Sequence, residues 1–104
     1  MQQFMIRYRR KNAGAETWHR DIAQFIAAVD ADSELSGRIS YRVMRIADGD
    51  EYLHIATPAD DQAVKALQSR DFFKRYNERT RAVAADGKVE VLKLGLVGET
   101  GGRA

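Results

Sequence analysis

Residues 37–57 constrain this chain more than any other stretch. Gly37-Arg38-Ile39-Ser40-Tyr41-Arg42-Val43-Met44-Arg45-Ile46 and Glu51-Tyr52-Leu53-His54-Ile55-Ala56-Thr57 are two β-prone runs joined by Ala47-Asp48-Gly49-Asp50. An Asp-Gly pair between such runs predicts a hairpin. With Asp48 and Gly49 as the central turn residues, Ala47 opposes Asp50, Arg45 opposes Tyr52, Val43 opposes His54 and Tyr41 opposes Ala56.

The flanks complete a pattern. Gln3 to Arg10 alternates Phe4, Ile6 and Tyr8 with Met5, Arg7 and Arg9, the period of a strand. Lys11-Asn12-Ala13-Gly14 breaks it, and Trp18, Ile22, Phe25, Ile26 and Val29 then trace one stripe of a helix. Pro58 ends the hairpin, and Asp60 or Asp61 caps a helix that starts near Gln62. Ser69-Arg70-Asp71 splits that helix, with Ser69 read as an N-cap rather than a nucleophile, and Asp86-Gly87 stops it. Val89 to Val97 is a last strand. The order β-α-β-β-α-β predicts an α+β, ferredoxin-like fold: an antiparallel sheet with its helices on one face. Residues 1–97 form a single domain in this reading, and the glycine-rich 98–104 a flexible tail.

Composition narrows the partners. The chain has 104 residues, enough for one core. Its 17 Lys and Arg against 15 Asp and Glu are dispersed rather than gathered on one face, which argues against nucleic acid. No cysteine is present, so disulfides, thiolate metal sites and cysteine nucleophiles are excluded, and two isolated histidines make no metal site. No apolar run is long enough for a membrane span and the first residues lack a signal-peptide pattern, so a cytoplasmic protein is expected.

The alternation assigns sheet faces. Leu53 and Ile55 on strand three, Met44 and Ile46 on strand two, and Leu92, Leu94 and Leu96 on strand four suit packing against helices, as do Phe4, Ile6 and Tyr8 on strand one. The opposite face then carries Met5, Arg7 and Arg9, Tyr41, Val43 and Arg45, Tyr52, His54 and Ala56, and Val91, Lys93 and Gly95. That mixture is too apolar to stand bare. A second copy of the sheet is expected to cover it and enclose a cavity.

From Phe4 to Val97 the chain resembles the antibiotic biosynthesis monooxygenase-like family of dimeric α+β barrels. The resemblance rests on the Gly14-Ala15-Glu16 helix entry, on Gly37-Arg38-Ile39-Ser40-Tyr41-Arg42-Val43, and on Leu67-Gln68-Ser69-Arg70-Asp71-Phe72-Phe73. It implies a homodimer whose sheets face each other. It also implies small-molecule chemistry, including cofactor-independent oxidation of aromatics or quinols and haem degradation. Ala66 stands where many members carry a histidine, so haem ligation there is not expected, nor is any other cofactor.

Within that frame His54 is the candidate catalytic residue, as base or orienter. Tyr41 and Tyr52 are candidate walls for an aromatic substrate, and Arg7, with Arg9 and Lys93, candidate partners for its anion. Trp18 reads as core and His19 as solvated. Two functions follow as expectations: a monooxygenase or related enzyme acting on a phenolic or quinol-like compound between sheet and partner subunit, or a non-catalytic homodimer that binds a hydrophobic molecule or is purely structural.

Overall fold

The computed structural model describes residues 3–11, 14–47 and 49–101. Strand β1 (Gln3–Arg9) leads to helix α1 (Ala15–Ala31), the hairpin β2 (Ile39–Arg45) and β3 (Glu51–Pro58), helices α2 (Asp61–Gln68) and α3 (Asp71–Val83), and strand β4 (Glu90–Leu94). The sheet order is β2-β3-β1-β4 with every neighbour antiparallel, the split β-α-β arrangement predicted from the pattern. β4 is shorter than the expected 89–97. The break residues Asn12 and Ala13, the turn residue Asp48 and tail residues 102–104 lie outside the described residues.

The hairpin register is the predicted one: Tyr41 opposes Ala56, Val43 opposes His54 and Arg45 opposes Tyr52. Across the non-local pairing, Ile6 opposes His54 and Tyr8 opposes Tyr52, while on the far side Ile6 opposes Val91 and Phe4 opposes Lys93. Opposed residues share a face. Phe4, Ile6 and Tyr8 therefore lie with Tyr41, Val43, Tyr52, His54 and Val91, and this is the side that meets the helices.

For strands β2, β3 and β4 this reverses the expected faces. Tyr52 and His54 are buried in the layer between sheet and helices, whereas Met44, Leu53, Ile55, Leu92 and Leu94 lie on the outer face with Met5, Arg7 and Arg9. The alternation was read correctly and its sign was not, because both rows are apolar. The aliphatic row is the more hydropathic, yet the aromatic row fills the deeper space over α1 and α3, because its polar atoms are hydrogen-bonded to one another there.

The α1 stripe of Trp18, Ile22, Phe25 and Val29 is buried against that row, with Leu35, Leu67 and Tyr76 closing the core. Gly14 starts α1 in the left-handed region at φ 83°, a conformation that a Cβ would strain. Asp60 caps α2, its carboxylate accepting from the Ala63 amide at 2.9 Å. Ser69 is the C-cap of α2, not the N-cap of the next helix: its Oγ donates to the Ala66 carbonyl at 2.7 Å. The break is held from outside, where the Arg70 guanidinium donates to Asp32 at 2.7 Å and Glu34 at 2.8 Å. That pairing holds the Asp32 carboxyl below the usual carboxylate range.

Asp60→Ala is expected to lower unfolding free energy by about 1 kcal/mol in urea titration, with an unchanged slope, through loss of the cap. Its ion pair with half-exposed Arg38 adds little. An unaltered midpoint would contradict the capping role.

Candidate functional site

His54 is 1% exposed, at the middle of β3 and under α3. Its place follows from register: Val43 and Ile6 flank it on the neighbouring strands, so the ring can only point up between the aromatic side chains. Nε2 lies 2.7 Å from Tyr8 Oη, and Nδ1 lies 2.5 Å from Tyr41 Oη and 3.2 Å from Tyr76 Oη. Trp18 Nε1 donates to Tyr8 Oη at 2.8 Å, and Tyr41 Oη donates to Tyr76 Oη at 3.2 Å.

Donor counting assigns the tautomer. Trp18 occupies an acceptor site on Tyr8, which frees the Tyr8 proton for His54 Nε2. Nδ1 then carries the imidazole proton toward Tyr41, and Tyr41 passes its own toward Tyr76. Among the described residues no buried side-chain nitrogen or oxygen lacks a partner.

Burial without a counter-charge pushes the His54 pKa from 6.5 down to about 4. Burial likewise raises the phenols of Tyr8, Tyr41 and Tyr76 above their ordinary value. The cluster is therefore neutral at neutral pH. Taking a proton from a phenol of pKa ~10 onto an imidazole of pKa about 4 costs about 8 kcal/mol before any ion pairing, so His54 orients hydroxyls rather than acting as a strong base.

A second centre adjoins the first. Tyr8 stacks on Tyr52 with centroids 5.5 Å apart, and Tyr52 Oη lies 2.7 Å from Nε2 of exposed His19 while accepting from Arg10 Nε at 3.2 Å.

Beside Tyr41 opens a cavity of about 270 Å³ between the sheet and helices α2 and α3. Phe4, Ile6, Leu67 and Phe73 give it apolar walls, and Tyr41, Gln68 and Asn77 are its polar members. Among the described residues no charged one lines it. Of the rings bonded directly to His54, only Tyr41 is part of the wall.

The structure thus brings together His54, Tyr41 and, through Tyr8, Tyr52. It does not bring in Arg7 or Arg9, which are exposed on the outer face; Arg7 donates to Glu90 at 2.9 Å. Lys93 shares the Phe4 row but is exposed on the edge strand. The cavity beside this site is bounded by helices, not by the outer side of the sheet where one was expected. The sequence pattern places Tyr8 and Trp18 in the core and His19 in solvent, and assigns Tyr76 no part in the site. The signal available was that every tyrosine, the tryptophan and His54 sit at sheet-row or helix-stripe positions with polar atoms to satisfy.

No protein-family model matches the sequence, and no curated protein matches it. Solved structures do. A variant of SnoaB, a cofactor-independent oxygenase from Streptomyces nogalater, is 20% identical and superposes with a TM-score of 0.75, over 97% of this chain and 97% of that one. A candidate antibiotic biosynthesis monooxygenase from Caulobacter crescentus is 18% identical at 0.76, over 93% and 90%. Another, from Nitrosomonas europaea, is 8% identical at 0.75, over 94% and 100%. The chain has the antibiotic biosynthesis monooxygenase fold. At these identities the likeness is one of backbone, so what the chain does rests on its own side chains.

Acid should destabilise this chain through His54. The folded state holds the ring neutral, so the unfolded chain binds the extra proton between pH 6.5 and about 4, and stability present above 6.5 is lost as pH falls through that window. The shift corresponds to about 3 kcal/mol. Denaturant midpoints should fall across that window in wild type and less steeply in His54→Gln; equal slopes would contradict a neutral buried ring.

Proposed function

We propose that the chain is a cofactor-independent monooxygenase, or a closely related small-molecule enzyme, acting on a neutral phenolic or quinol-like compound in the cavity beside Tyr41. The observation that carries this reading is an apolar, uncharged cavity whose wall includes one hydroxyl held by a buried histidine. A planar apolar compound would fill the walls, and its hydroxyl would exchange a hydrogen bond with Tyr41, Gln68 or Asn77. His54 keeps Tyr41 in one rotamer and one hydrogen-bonding sense, which is a positioning role. The substrate supplies the electrons: one oxygen atom of O₂ becomes a carbonyl at the ring carbon para to the hydroxyl, that carbon's C–H and the phenol O–H give up one hydrogen each as the ring becomes a quinone, and the other oxygen leaves with both hydrogens as water. The shared fold with an oxygenase described as cofactor-independent supports the class.

Oxygen uptake with a panel of hydroquinones and polycyclic phenols tests this. Tyr41→Phe and His54→Gln should each lower turnover by about a hundredfold, the scale set by misplacing a reacting group by an ångström. Arg7→Ala, on the other face, should leave it unchanged. Turnover that ignores the first two and collapses with the third would return the site to the outer face. A second reading, a non-catalytic dimer that holds a hydrophobic molecule, is favoured by a cavity that no charged group lines among the described residues; binding of those compounds without oxygen uptake would establish it.

The outer face bears on assembly. Met44 is 45% and Leu92 38% exposed there, beside Met5, Leu53, Ile55 and Leu94, with Arg7, Arg9 and Arg42 and the acids Glu51 and Glu90 on the same side. Both charge signs around one apolar patch suit a two-fold contact with a second copy. Sedimentation at micromolar concentration should give twice the 11.7 kDa chain mass, and Ile55→Arg should give the monomer. A monomeric wild type would contradict the assembly.

A further inference from the structure

All four tyrosines of the chain, its one tryptophan and both histidines belong to a single array. Apolar packing alone does not ask for this, since phenylalanine fills nearly the same volume without a hydroxyl to satisfy. The rings run in sequence from cavity to surface. Centroids are 6.2 Å apart from Tyr41 to Tyr76, 5.7 Å from Tyr76 to Trp18, 6.3 Å from Trp18 to Tyr8, 5.5 Å from Tyr8 to Tyr52 and 5.7 Å from Tyr52 to His19. Tyr41 lines the cavity at one end, and His19 is exposed at the other.

Indole and phenol are the side chains here that lose one electron most readily. A phenol does so only if its proton has somewhere to go, because the oxidised phenol is a strong acid. Tyr8 touches Nε2 of His54, the ring nitrogen that carries no proton, and Tyr52 touches Nε2 of His19. A histidine too weak to deprotonate a resting phenol is ample for an oxidised one.

We infer that this array is a proton-coupled path that carries an oxidising equivalent from the cavity wall at Tyr41 to the surface at His19. It goes beyond the monooxygenase reading and does not depend on turnover. A one-electron oxidant formed in the cavity, such as a substrate radical, loads it by taking one electron from Trp18 across the rings of Tyr41 and Tyr76, which keep their protons; the oxidant is reduced and an indole radical cation remains. In the central step an electron passes from Tyr8 to the Trp18 radical cation, restoring the indole. The Tyr8 O–H bond breaks, its proton moves to His54 Nε2, and a neutral tyrosyl and an imidazolium remain. In the exit step an electron passes from Tyr52 to the Tyr8 radical, which retakes the proton from His54, while the Tyr52 proton moves to His19. A dissolved one-electron reductant such as ascorbate then discharges Tyr52, which retakes its proton from His19.

The single tryptophan makes the test selective, since laser photoionisation at the red edge of indole absorption starts the radical on Trp18 alone. In wild type the indole radical should convert to tyrosyl, followed by transient absorption, and added ascorbate should discharge it. The double variant Tyr8→Phe/Tyr76→Phe keeps the rings but removes both phenols next to Trp18, and should slow tyrosyl formation by at least an order of magnitude. Tyr52→Phe disturbs only a partner of exposed His19 and of Arg10, so it answers even if the double variant fails to fold; tyrosyl should form in it, but discharge by ascorbate should slow by an order of magnitude. Absence of tyrosyl in wild type overturns the inference, as does ascorbate discharge that ignores Tyr52→Phe.

Discussion

The burial of a neutral imidazole among three phenol hydroxyls is the interaction on which this structure turns. An unpaired polar group in such a layer costs on the order of 1–3 kcal/mol, and His54, Tyr8, Tyr41 and Tyr76 would each be such a group alone. Each satisfies the others because β1, β2, β3 and α3 bring one residue apiece to the same point. A slip of one residue in the hairpin register would send Tyr41 to the outer face and leave Nδ1 with Tyr76 alone. The network therefore fixes register and helix placement together, and the cavity beside Tyr41 inherits its shape from both.

The same cluster explains how a sheet can be apolar on both sides. Its inner face is aromatic and hydrogen-bonded, and holds α1 and α3; its outer face is aliphatic with a charged margin. Sheets that are covered on both faces lose the clean alternation of a half-exposed sheet. In the proposed function the aromatic row keeps the chemistry expected of it but on the inner face, and the aliphatic row, expected against the helices, is the one offered to a second copy.

Much of the fold was legible. Asp48-Gly49, the period-two runs, the Trp18 to Val29 stripe, the Pro58 stop and the Ser69-Arg70-Asp71 break are local signals, and local signals located every element and the hairpin register. Which face meets the helices is a non-local fact. It is decided by the pairing of Tyr8 with Tyr52 and of Ile6 with His54, across about half the chain, and nothing in the β3 run alone distinguishes Leu53 and Ile55 from Tyr52 and His54 as core. Strand one was placed correctly because its alternative row carries Arg7 and Arg9. His54, Tyr41 and Tyr52 were recognisable as a group; Tyr8, Trp18, Tyr76 and His19 were not, because an aromatic residue on a core stripe looks like packing until its polar atom has a named partner.

The account rests on His54 being neutral, buried and held by tyrosines, and nitrogen-resolved NMR of the imidazole reads this directly. It predicts one protonated ring nitrogen, Nδ1, no titration between neutral pH and pH ~5, and close contacts from the ring protons of His54 to those of Tyr8 and Tyr76. A ring that titrates at the ordinary histidine value, without those contacts, would contradict it.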